Sequence, residues 1–274
     1  GNLVKKAGES NMSAIAITDR GNMMGCFHFI KAIKNYNSSI SEDSEKTQIK
    51  PIIGCELNVC SNHKDKSNRD DGYQIVFLAK NKNGYRNLSK MCSIGYTEGF
   101  YYVPRVDRSI IEQYKSDLIV LSGNMYGEIA NKLLNIGESQ AEDALMYWKN
   151  LFVDDFYLEM MKHGQEDEDR VNETLLEFSK SHNVKVVPTN NSFYLNKEDA
   201  NAHDILLCVK DGEKQATPIG RGRGFRYGLK NQEYYFKTSN EMKFLFRDYP
   251  DFFSNISEIV EKVELYELAR DCLL

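Results

Sequence analysis

Short apolar runs rich in β-branched residues recur along the chain at residues 14–18, 51–59, 74–79, 118–121, 156–160 and 184–188, each bounded by Gly, Asn, Asp or Pro. Between them, the stretches 23–36, 83–95, 126–135, 141–152, 168–182 and 199–209 space apolar residues three and four apart, the period of a helix with one buried face. Such alternation predicts an α/β fold, with repeated β-α units around a mainly parallel sheet. If the sheet closes as a barrel, the polar residues just after each strand gather at one rim, the face where such folds carry chemistry. The segments 37–50, 60–72 and 217–230 read as loops, the last containing Gly220-Arg221-Gly222-Arg223-Gly224.

The chain has 274 residues, enough for one large domain, and its 41% hydrophobic and 27% charged residues fall in the range of soluble globular proteins. No apolar run approaches the roughly 20 residues needed to cross a bilayer, and the opening residues lack the apolar core of a secretory signal, so a soluble, cytoplasmic protein is expected. Six cysteines, Cys26, Cys55, Cys60, Cys92, Cys208 and Cys272, show no CxxC pair and read as reduced thiols. The net charge of −5 is unlike the basic footprint of nucleic-acid binders, so any service to DNA is expected to be indirect.

Several strand ends carry motifs that occur together, in order, in one family. Thr18-Asp19-Arg20-Gly21-Asn22-Met23 resembles the Thr-Asp-His-Gly-Asn-Met turn of the PHP domain of bacterial DNA polymerase III alpha subunits. Lys50-Pro51-Ile52-Ile53-Gly54-Cys55-Glu56 is similar to that family's Lys-Pro-Ile-Gly-Cys-Glu strand. Leu78-Ala79-Lys80-Asn81, Gly84-Tyr85-Arg86-Asn87-Leu88, Leu158-Glu159 with His163-Gly164, Thr189-Asn190-Asn191-Ser192-Phe193-Tyr194 and Asn201-Ala202-His203-Asp204 continue the series. The resemblance implies a distorted β/α barrel of PHP type, spanning residues 1–274 as a single domain. The family's opening strand, with its His-any-His pair, is expected before Gly1, and residues 255–274 are expected to form a helix and the start of a link to a polymerase core.

Active members of the family gather His, Asp, Glu and Cys side chains around divalent metals that ready water to attack a phosphoester. A cation is held only where several such donors replace most of its hydration. Position by position, the resemblance implies that this pocket is eroded. Arg20 stands where the family has His, and a guanidinium has no acceptor to offer a metal. Placed about 4 Å from a dication at an effective dielectric of about 20, it would cost roughly 8 kcal/mol. Tyr73 and Asn124 are read at two further ligand positions, and Asn191-Ser192-Phe193 replaces the closing Asp-any-His pair. Asp19 and Glu56 keep their carboxylates, and Arg20 is expected to neutralise Glu56. No catalytic residue, metal or cofactor is expected.

His163 reads either as a ligand or as a strand-end histidine bonded to backbone. His203 is expected in a structural hydrogen bond beside Asp204, and His28, His63 and His182 on helix or loop surfaces. The Arg-Gly run reads as a solvated loop, Glu166-Asp167-Glu168-Asp169 as a helix start, and the clusters Phe100-Tyr101-Tyr102 and Tyr234-Tyr235-Phe236 as core. The function implied is that of a non-catalytic scaffold and docking module of a replicative DNA polymerase. Its implied partners are the polymerase core of the same polypeptide and the proofreading exonuclease subunit, with no membrane. The rivals are a metal-dependent phosphoesterase or 3′–5′ exonuclease acting on DNA, and a free-standing small-molecule phosphatase of the same superfamily.

Overall fold

The computed structural model describes residues 1–41, 46–220 and 222–268, so Arg221, Cys272 and the end of the expected link lie outside the described residues. The strands are β1 (Ala14–Arg20), β2 (Lys50–Cys60), β3 (Tyr73–Ala79), β4 (Arg105–Asp107), β5 (Leu118–Leu121), β6 (Phe156–Met161) and β7 (Val186–Thr189). The helices are α1 (Asn2–Glu9), α2 (Cys26–Ser38), α3 (Lys82–Thr97), α4 (Arg108–Tyr114), α5 (Glu128–Asn135), α6 (Glu138–Phe152), α7 (Glu166–His182), α8 (Ala200–Asp211), α9 (Ser239–Leu245) and α10 (Phe252–Lys262). The strands form one mixed sheet of order β1-β2-β3-β5-β6-β7, with β4 paired to β2, curled into half a barrel.

The expected strands are all present, but the sheet is less parallel than the alternation suggests: β3 runs antiparallel to both β2 and β5. The reason is local. Residues 61–72 contain no helix, and a parallel return from β2 would need a long crossover, whereas a loop suffices for an antiparallel neighbour. The helices α1, α4 and α9 and the three-residue β4 were not expected, being too short for a periodic signal. Where the sequence supplies caps the boundaries are sharp: the Asn81 side chain accepts from the backbone N–H groups of Asn83 and Gly84 to start α3.

Strand alternation divides the core. One face of the sheet, with Cys55, Leu57, Ile75, Phe77, Val120 and Leu158, packs under α3, α5, α6 and α7. Fully buried Trp148 of α6 meets Phe77 edge-on at 6.3 Å and stacks on Phe152 at 6.2 Å. Its indole N–H donates to the buried carboxylate of Glu128 at 2.9 Å, which also takes Arg108 and Lys132 at 2.8 Å each.

The other face is apolar towards one end, where Ile52, Val76, Leu78, Ile119, Leu121, Tyr157 and Val187 pack with Ile259 and Val263 from and after α10. Lys50, at the start of β2, donates to the carbonyls of Val260 and Val263 at 2.8 and 2.7 Å, placing a cation at the carboxyl end of that helix. Towards the opposite end the same face turns polar. None of the described helices is long and apolar enough to cross a membrane.

Candidate functional site

The parallel register of β1 and β2 sets Arg20 beside Glu56, so both side chains project from the same face. Arg20 Nε donates to Glu56 Oε1 at 2.5 Å and Nη2 donates to Gln74 Oε1 at 3.2 Å. Asn124, just beyond β5, donates from Nδ2 to the same Gln74 oxygen at 3.3 Å and to Glu56 Oε2 at 3.4 Å. The ion pair expected between Arg20 and Glu56 is therefore present. It lies at the polar end of the sheet, with the Glu56 side chain only 10% exposed and that of Arg20 half exposed.

Glu159 of β6 projects from the same face and is buried, with Oε2 lacking any hydrogen-bond partner among the described residues. Burial raises its carboxyl to about 7 against a smaller lowering from the Thr189 side chain, and the nearby charge of Glu56 adds to the rise. Among the described residues Arg20 thus neutralises one of two carboxyls, and Glu159, with one oxygen unpaired, is held towards its neutral form.

Above this floor opens a cleft of about 550 Å³ whose lining includes Arg20, Asn124, Asn191, Phe193, Tyr227 and Tyr234. Three of the residues read from sequence as the remnant pocket, Asn124, Asn191 and Phe193, therefore border one space with Arg20. His163 lies behind its wall: Nδ1 is 2.6 Å from Glu168 Oε1, the backbone N–H donates to Glu168 Oε2 at 2.6 Å, and the ring stacks on Tyr234 at 4.2 Å. His163 Nδ1 therefore has a carboxylate partner rather than a backbone one, and Nε2 is buried without a partner among the described residues. Glu168 does begin a helix as the acidic run suggests, but it is itself buried.

Other expected members are not brought together. Tyr73 is one residue out of phase: Gln74 reaches the polar cluster, while Tyr73 lies under the Lys132 ammonium, 5.8 Å from the ring centre. Because β3 is antiparallel, its first residues rather than its last meet this rim. Asp19 stands on the opposite face of β1 from Arg20, where a methyl built on Gly25 would come within 2.7 Å of its Oδ2. Asp19 and Glu56 accordingly do not share a site. Among the described residues no group of three or more His, Cys, Asp or Glu side chains is placed to hold a metal ion.

Four further expectations are corrected. His63 is buried rather than on a loop surface, with Nδ1 2.5 Å from Asp107 Oδ2, under a loop that Arg105 gathers by donating to the carbonyls of His63, Asp65, Asp70 and Gly99. His203 stacks on Phe193 at 5.6 Å, and it is Asp204 that takes the structural bonds, from Arg226 at 2.7 and 2.9 Å. Arg226 is consequently buried, not solvated. Of the aromatic clusters, Tyr234 is core, whereas Phe100 and Tyr102 are exposed.

The profile described as PHP domain matches residues 1–163, more than half of the chain. The chain belongs to the PHP domain family. It is 37% identical over 270 residues to DNA polymerase III subunit alpha of Borreliella burgdorferi, covering 97% of this chain and 22% of that protein. The corresponding protein of Treponema pallidum is 35% identical over 265 residues, covering 95% of this chain and 21% of its own length. That of Chlamydia trachomatis is 34% identical over 294 residues, covering 96% and 23%. This PHP domain thus spans between a fifth and a quarter of the length of these relatives.

Proposed function

We propose that this PHP domain is a non-catalytic scaffold and docking module of a replicative DNA polymerase, working in DNA replication in the cytoplasm, its half-barrel being part of a distorted PHP-type β/α barrel. The observation that carries the reading is the Arg20–Glu56 pair at the polar end of the sheet. A guanidinium bonded there engages the carboxylate a metal would need and adds a repulsive charge. The donors present do not fit a divalent metal. Glu56 is paired, Asp19 faces the other way, His163 is not among the residues lining the cleft, and Gln74, Asn124 and Asn191 are amides. That leaves the carboxyl of Glu159, with one oxygen unpaired, and no group of three His, Cys, Asp or Glu donors among the described residues.

The name of these relatives, DNA polymerase III subunit alpha, supports the polymerase setting. The polymerase core of the same polypeptide, and the proofreading exonuclease subunit, are the partners this reading names; DNA is served through them. The test is metal content and phosphodiesterase activity after incubation with Mn²⁺ or Zn²⁺. No stoichiometric metal and no turnover is the expected result, and turnover abolished by Glu56→Ala would replace this reading with a phosphoesterase or 3′–5′ exonuclease. A titration with the cognate exonuclease subunit checks docking separately, and absence of binding removes that partner.

A further inference from the structure

Cys55 of β2 and Cys92 of α3 meet in the core with their Sγ atoms 3.6 Å apart. Cys55 projects from the face of β2 opposite to its neighbour Glu56, so the thiols lie behind the polar rim rather than in it. Cys55 is completely enclosed, whereas Cys92 retains 8% exposure. The five described cysteines are all free thiols and buried, and Cys26 at the start of α2 is the third member of the neighbourhood. Core packing accounts for apolar burial, but it leaves two nucleophilic sulfurs in contact across two elements 37 residues apart in sequence.

We propose that Cys55 and Cys92 are an oxidation site, a thiol pair that a small neutral peroxide converts to a disulfide, stapling β2 to α3. The Cys92 thiolate attacks one oxygen of hydrogen peroxide; the O–O bond breaks, hydroxide leaves and Cys92 becomes a sulfenic acid. Cys55, its proton passing to that hydroxide, then attacks Cys92 Sγ; the S–S bond forms as the S–O bond breaks, and the hydroxyl leaves as water with a proton from solvent. In total the two thiols give up two electrons and two protons, and one peroxide becomes two waters. Closing from contact to a bond of about 2.05 Å asks each sulfur to move by less than about 1 Å, within the reach of side-chain rotation. The enclosure selects the oxidant: with Cys92 only 8% exposed, a charged tripeptide disulfide such as oxidised glutathione is shut out and entry is left to a small neutral peroxide.

The staple constrains the unfolded chain and should raise the melting temperature by roughly 5 °C or more. The test treats the reduced chain with hydrogen peroxide, blocks remaining thiols under denaturing conditions and maps peptides without reductant. A Cys55–Cys92 peptide, a raised melting temperature reversed by dithiothreitol, and no such peptide with oxidised glutathione are expected. Cys92→Ala should abolish both the cross-link and the shift; so should Cys55→Ala, in which peroxide leaves Cys92 over-oxidised. A cross-link through Cys26 instead, over-oxidation of wild-type Cys92 without a cross-link, or no reaction of either thiol would overturn the proposal.

Discussion

Replacing Glu159 with glutamine tests the electrostatic account of the site most directly. The carboxyl sits inside the sheet's polar end, near Glu56 and without a cation of its own, and is raised from an ordinary 4.5 to about 7. For a carboxyl whose folded value is raised, the folded chain holds the proton more tightly than the unfolded chain. Its contribution is complete below pH 4.5, declines as pH rises towards 7, and is gone above that. The difference corresponds to about 3 kcal/mol, an upper magnitude for one group. Glu159→Gln cannot ionise, so it should match the wild type within about 1 kcal/mol near pH 5 and exceed it by up to about 3 kcal/mol near pH 8. Urea denaturation of both proteins at each pH gives the difference directly, and histidines common to both cancel. Parallel stability curves for the two proteins, or a Gln variant weaker at pH 8, would refute the reasoning.

Further outcomes follow from other buried contacts. Trp148→Ala removes a fully enclosed indole from between Phe77 and Phe152 and should cost about 3–5 kcal/mol by denaturant titration; a loss below about 1 kcal/mol would contradict the packing described. Burial works to raise Asp107, but bonds from Ser109 and His63 outweigh it and hold the carboxyl at about 2. That stability is present above about pH 4 and lost as pH falls through 2, so Asp107→Asn should be weaker at pH 7 and show a flatter acid limb in thermal melts. Asp204→Ala leaves the buried Arg226 without its carboxylate and should speed proteolytic cleavage within residues 212–230; unchanged cleavage would show that the loop does not depend on this clasp.

The strands were legible in the sequence because each is a short β-branched run ending in a breaker, and the predicted boundaries of β5 coincide with those observed. Strand direction was not legible: nothing in the composition of β3 distinguishes a parallel from an antiparallel neighbour, and only the missing helix in residues 61–72 carries that information. The same oversight explains Tyr73. With a side-chain period of two, a shift of one residue moves a side chain to the other face, so reading Tyr73 instead of Gln74 at this rim exchanges a ring on the helix side for an amide in the cluster. Glu159 and Thr189 were readable in principle. Each is in phase with an inward residue two positions earlier, Tyr157 and Val187, but no sequence rule says that a carboxyl at such a place is buried with one oxygen unpaired. The His63–Asp107 and Asp204–Arg226 pairs bring residues together across 44 and 22 positions, which periodicity cannot see.

The charge balance leads to one more prediction about the proposed loss of metal binding. If Arg20 alone kept a cation out, deleting it should restore a site. Arg20→Ala would free Glu56 and, above about pH 7, leave the Glu159 carboxylate on the same face. Two carboxylates fall short of the three protein donors that a catalytic zinc site retains, and no third His, Cys, Asp or Glu joins them among the described residues. Asn124 Oδ1 accepts the Tyr126 N–H at 2.8 Å, and His163 does not line the cleft. The variant should therefore lose stability through the unpaired Glu56, by about 1–3 kcal/mol, yet take up no stoichiometric Mn²⁺ or Zn²⁺ after dialysis at pH 8. Retention of one equivalent of metal would show that a single arginine stands between this PHP domain and a working cation site, and that the erosion lies at one residue rather than across the rim.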